Sequence, residues 1–129
     1  MSYTSDAQSF IAVTSLDDAQ CCCVELTADP QTGEQGIQVA QGGQIPICGI
    51  LQDKPLKGDP ACVQVRGVTK GVLAPWTSAA TGGLLEVATD GSGYLRPKTT
   101  GLAVARLLGR AVNTLTDPAV VEIQLLSGL

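Results

Sequence analysis

Gly49-Ile50-Leu51-Gln52-Asp53-Lys54-Pro55-Leu56-Lys57-Gly58-Asp59-Pro60-Ala61-Cys62-Val63-Gln64-Val65-Arg66-Gly67-Val68-Thr69-Lys70-Gly71 reads as a strand, a turn-forming loop and a second strand. The apolar run 45–51 stops where Asp53, Lys54, Pro55, Lys57, Gly58, Asp59 and Pro60 crowd together. Prolines fix φ and remove backbone donors, and glycine frees φ, which is what a reversing chain needs. Beyond the loop, Val63 and Val65 share one face and Gln64 and Arg66 the other, the period of a half-buried strand.

The same rhythm continues in both directions. Upstream, residues 21–27 read as a strand and Asp29, Pro30, Thr32 and Gly33 as a turn. Two further apolar pieces, 37–40 and 45–51, flank Gln41-Gly42-Gly43-Gln44, where the glycines permit a tight reversal. Pro46 places the start of the second piece at an edge or bulge. Downstream, residues 62–68 and 71–75 read as strands, 77–83 as a small-residue connection and 84–88 as a strand. Thr89-Asp90-Gly91-Ser92-Gly93 then turns the chain into Tyr94-Leu95-Arg96. Residues 101–112 suit a helix by propensity, yet their side chains also alternate, and Gly109 weakens a helix interior by roughly 1 kcal/mol relative to alanine. We read them as a long strand. After a turn at 113–118, residues 119–126 close the chain as a strand with Val121, Ile123 and Leu125 on one face and Glu122 and Gln124 on the other. Turn signals at intervals of about 8–12 residues favour an all-β barrel or sandwich over alternating β and α units.

With 129 residues the chain fits one domain, and a single core is expected. Aromatic residues make up 3% of it, so valine, leucine, isoleucine, alanine and cysteine must fill the interior. The expected organisation is an N-terminal arm over residues 1–20 and one β domain over 21–129. Within the arm, Phe10, Ala12 and Thr14 oppose Ile11, Val13 and Ser15, a pattern open to a strand that completes its own sheet or reaches a partner. No basic segment precedes an apolar core near the N-terminus, and no run approaches the roughly 18 apolar residues of a membrane span. A soluble protein made in the cytoplasm is therefore expected.

The net charge of −4 opposes nonspecific nucleic-acid binding, which needs bases to displace phosphate counterions. Residues 1–53 hold seven acids and no Lys or Arg, whereas 54–129 hold eight bases and five acids. The two halves are therefore complementary, within one molecule or between neighbours.

Histidine is absent, which removes the commonest neutral-pH base and every histidine-containing metal or nucleophile arrangement. Cys21-Cys22-Cys23 lacks the spacing that sets two thiolates around zinc, and with Cys48 and Cys62 it reads as a reduced, mostly buried set. Asp17-Asp18 reads as a loop cap and Asp90-Gly91 as a turn, and neither Gly42-Gly43 nor Lys70-Gly71 completes a phosphate loop. No catalytic residue, metal or cofactor is expected. The large side chains near loops or the arm, Phe10, Ile11, Trp76 and Tyr94, are the candidate contact residues, with Trp76 and Tyr94 also open to core packing and the segment of Phe10 and Ile11 to a mobile terminus.

Gly49-Ile50-Leu51-Gln52, Lys54-Pro55, Gly58, Val63-Gln64-Val65 and Gly67-Val68-Thr69-Lys70 follow one another in an order that resembles the capsid decoration, or head cement, proteins of tailed double-stranded DNA bacteriophages. In particular it resembles a widespread group of small phage proteins known as a domain of unknown function. Gly82-Gly83-Leu84-Leu85, Asp90-Gly91, residues 104–111 and Val120-Val121-Glu122-Ile123-Gln124-Leu125-Leu126 extend the resemblance over residues 37–126. The family commonly has Ala-Gly where this chain has Gly82-Gly83, and Trp76 stands in a region usually built of smaller residues. The resemblance implies a β-tulip or SH3-like barrel with an extended N-terminal arm. It further implies a homotrimer at threefold or quasi-threefold sites of the outer shell, with the major capsid protein as partner and no direct contact with nucleic acid or membrane. The implied role is mechanical: the protein binds the expanded icosahedral capsid and bridges adjacent capsomers. A carbohydrate-binding virion module and another head or tail subunit are the alternative readings.

Overall fold

Three short strand segments in which every residue is buried set the architecture: Cys23-Val24-Glu25, Gly49-Ile50-Leu51 and Gly71-Val72-Leu73. Neighbouring residues of a strand point to opposite faces, so a wholly buried run has protein on both sides. Here the two sides are two separate hydrophobic clusters. Cys23, Ile50 and Leu73 point into the larger, with Leu85, Leu95, Leu107 and Ile123. Val24, Leu51 and Val72 point into the smaller, with Leu16, Ile37 and Val63. The expectation of a single core is corrected accordingly: both faces of these segments are buried, and they form a shared wall.

The computed structural model describes residues 7–126 and is all-β. Its strands are β1 (Ala7–Ile11), β2 (Cys23–Ala28), β3 (Gln35–Val39), β4 (Gly49–Leu51), β5 (Pro60–Gln64), β6 (Gly67–Leu73), β7 (Ser78–Ala79), β8 (Leu84–Val87), β9 (Leu95–Pro97), β10 (Ala103–Leu107), β11 (Val112–Asn113) and β12 (Ala119–Leu125). β1 to β5 form an antiparallel sheet in the order β1-β5-β4-β2-β3 around the smaller cluster. β10, β12, β6, β9 and β8 form a closed barrel around the larger one, and β7 pairs with β11. The longest ladder joins β6 to β12, from Gly67 opposite Leu125 to Leu73 opposite Ala119.

The first sheet curls until its outer strands meet. Just beyond β1, Ala12 bridges Ile37 of β3 in parallel, and the Val13 N–H donates to the Ile37 carbonyl at 3.1 Å. Gly36 permits this approach, because a Cβ there would run into the Ile11 carbonyl oxygen and the Val13 side chain. Gly67 divides β5 from β6 with a φ of 85°, so the strand read over residues 62–68 is two strands with a sharp break.

Other boundaries also moved. From Ala7 onward the segment assigned to an arm is part of the domain: β1 pairs with β5 from Ala7–Gln64 to Ile11–Pro60, and Leu16 and Ala19 are buried. Residues 1–6, the rest of that arm, lie outside the described residues. The strand read over 101–112 stops at Leu107, and the chain resumes as β11 after Gly109. The connection 77–83 contains β7. Cys62 is exposed because Ala61 and Val63 take the inward positions of β5, while Cys22 and Cys23 are buried and all five thiols are free.

Candidate protein-binding surfaces

Trp76 follows β6 after Ala74 and Pro75, and its mount is built from two threonines. The buried Thr114 hydroxyl donates to the Ala74 carbonyl at 2.8 Å and accepts the Thr77 N–H at 3.0 Å. The Thr77 hydroxyl donates to the same Ala74 carbonyl at 2.7 Å, and the Thr114 N–H donates to the Thr77 carbonyl at 2.9 Å. On this base the Trp76 N–H donates to the Leu115 carbonyl at 2.9 Å. Trp76 has a φ of 62°, in the left-handed region where a bulky side chain is rare and costs on the order of 1 kcal/mol or more. Its indole is nevertheless turned outward: Trp76 is 73% exposed and Leu115 67%. The result is a platform with a hydrogen-bonded backbone and two large, exposed apolar side chains. Thr114→Val keeps the shape and removes the hydroxyl, so it is expected to cost about 1–3 kcal/mol and to change the Trp76 fluorescence as the mount loosens. Denaturant unfolding and emission spectra check both effects.

A second apolar surface is recessed. In the first sheet the face that carries Val24, Ala61 and Val63 continues outward to Leu26, Phe10 and Val65, where the sheet opens. The segment before β4 and the chain after β12 supply Ile45, Pro46 and Leu126, enclosing a concavity of about 760 Å³ with Gln8 and Arg66 among its polar lining residues. Leu26 is 66% exposed and Ile45 52%, so apolar walls stand in water.

The four candidate contact residues are not gathered in one place. Trp76 forms the platform and Phe10 lines the concavity. Ile11 is half-buried at the end of β1 opposite Pro60, and Tyr94 is half-buried against the smaller cluster. Sequence reading missed Leu115, Leu26 and Ile45. Leu26 sits two residues from buried Val24, and only the opening of the sheet exposes it. Arg66 borders the concavity just before β6 and Trp76 comes three residues after its end, so the two surfaces lie roughly 20 Å apart along that strand.

The buried polar groups are structural. Glu86 of β8 has no exposed surface and accepts hydrogen bonds from Arg96 Nε at 2.8 Å, the Thr99 N–H at 2.7 Å and the Gly101 N–H at 2.9 Å. Arg96 Nη2 adds an ion-pair contact at 2.8 Å. Burial alone would raise its pKa, but the Thr99 and Gly101 N–H groups and the Arg96 guanidinium outweigh burial and hold it below the ordinary value. Glu25 accepts from Gln38 Nε2 at 3.0 Å and the Gln41 N–H at 2.9 Å. Burial pushes the Cys48 thiol up to about 11, and burial together with neighbouring Cys21 and Asp18 pushes Cys22 up to about 11, so neither is a thiolate at neutral pH. Among the described residues no group of three metal-ligating side chains comes together.

No family model and no curated protein matches the chain. The surfaces themselves therefore carry the functional reading. Each exposes large apolar side chains, the platform on the turn after β6 and the loop after β11, the concavity at the edge of the first sheet.

Proposed function

We propose that this chain is a structural virion protein that decorates the outer surface of an expanded tailed-phage capsid and stabilises it by bridging adjacent capsomers. The resemblance over residues 37–126 motivates the reading, and the observation that carries it is the way charge divides between the two lobes. The first sheet and its loops, residues 7–64, hold seven carboxylates against two lysines, with Asp17, Asp18 and Glu34 exposed. Residues 65–126, which form the barrel, hold six bases against four carboxylates. An acidic lobe suits a basic patch of the major capsid protein, while the apolar surfaces remain for contact between neighbouring bodies. Each added contact must be broken before capsomers separate, so the shell gains stability by mass action and by repetition.

Cosedimentation with expanded capsids tests this. Binding is expected to saturate and to weaken as salt rises, because exposed charge pairs are screened. Asp17→Asn, Asp18→Asn and Glu34→Gln together are expected to weaken it by roughly tenfold, the sum of three modest surface pairs. Binding indifferent both to salt and to this triple change would remove the acidic lobe from the contact.

A further inference from the structure

We infer that copies of this chain join head to tail, with the Trp76 and Leu115 platform of one copy filling the concavity at the mouth of the next copy's first sheet. The platform is preorganised. Its backbone is held in the left-handed region by the Thr77 and Thr114 hydrogen bonds, so little backbone freedom is lost when the indole is buried. The recess is of matching character: about 760 Å³, walled by Phe10, Leu26, Ile45 and Val65, and ample in volume for an indole with a leucine beside it.

Geometry and charge both favour a second copy as the occupant. Platform and recess lie roughly 20 Å apart at opposite ends of β6, so a molecule cannot fill its own recess with its own Trp76. Each copy offers one of each, the condition for a heterologous contact that closes into a ring or continues as a filament according to its rotation. The recess belongs mainly to the lobe with seven carboxylates against two lysines, and the platform to the lobe with six bases against four carboxylates. Head-to-tail pairing therefore sets unlike lobes together, whereas platform on platform or recess on recess sets like lobes together.

The test is sedimentation velocity on the full chain without capsids, so its outcome is independent of the capsid reading. Trp76→Gly removes the indole and suits a φ of 62°, so it should fold at least as stably as the original. It is expected to lower the association constant by at least about 30-fold, the loss of a central aromatic anchor. Leu26→Glu places a charge in the recess at an exposed position and should act alike, with Ile45→Glu as the second recess variant. Mixed together, the Trp76→Gly and Leu26→Glu chains retain one good recess and one good platform, and they are expected to form a 1:1 heterodimer that grows no further. A monomeric original chain overturns the inference. So does a mixture that fails to pair, or an assembly broken by Trp76→Gly but untouched by both recess variants, which would mean that platform meets platform or that another ligand fills the recess.

Discussion

Glu86→Ala is expected to cost about 2–4 kcal/mol of folding stability, the loss of a fully buried acceptor of one charge-assisted and two backbone hydrogen bonds. The alanine leaves the Arg96 guanidinium and the Thr99 and Gly101 N–H groups without their acceptor. Against a typical domain stability of about 5–15 kcal/mol this is a large fraction. Arg96→Ala should cost less, because the Arg96 side chain is partly exposed and the Glu86 carboxylate keeps both backbone donors. The pH dependence follows from the direction of the pKa. The folded value lies below the ordinary glutamate value of 4.5, so the stabilisation is complete above 4.5 and is lost as pH falls through the folded value. Urea unfolding of the original chain and of Glu86→Gln should therefore show a gap that is constant near neutrality and narrows in acid. A gap that widens in acid would show that the carboxyl is protonated in the folded protein.

Ile50→Ala and Leu51→Ala are each expected to cost about 2–5 kcal/mol, although the two residues are adjacent in one short strand. Both are fully buried, Ile50 in the larger cluster and Leu51 in the smaller. In a sheet with one wet face, one of the pair would point to water and its truncation would cost less than about 0.5 kcal/mol. Because the cavities open on opposite sides of the wall, the double variant should lose nearly the sum of the two. Denaturant unfolding of the three variants measures this. One silent substitution would contradict the two-cluster architecture.

The strands were legible where alternation was clean. Residues 119–126 read correctly as a strand with Val121, Ile123 and Leu125 inward, and the pairing with β6 and β10 buries that face. The two clusters were not legible, because a run such as Gly49-Ile50-Leu51 has the same composition whether it lines one core or two. The break at Gly67 was hidden because Val63 and Val65 alternate cleanly up to it and Val68 comes directly after it, while one positive φ redirects the chain. Trp76 stood out by type, yet its exposure depends on Thr114, which is 38 positions away in sequence and contributes only a hydroxyl. Leu115 carried no signal at all until the Trp76 N–H was seen to bond its carbonyl. The Glu86 and Arg96 pair follows from the register of β8 on β9, where the two residues face each other directly.

Two kinds of contact thus divide the work of the proposed decoration. Charge on the first lobe suits docking to a shell, and apolar surfaces at the two ends of β6 suit links between copies. Cryo-electron microscopy of expanded capsids lacking their decoration, mixed with this protein, tests the claim most directly. Saturable density at threefold or quasi-threefold sites, with the acidic lobe against the shell, is the predicted result. Intact capsids bearing no added density beside folded protein would contradict it.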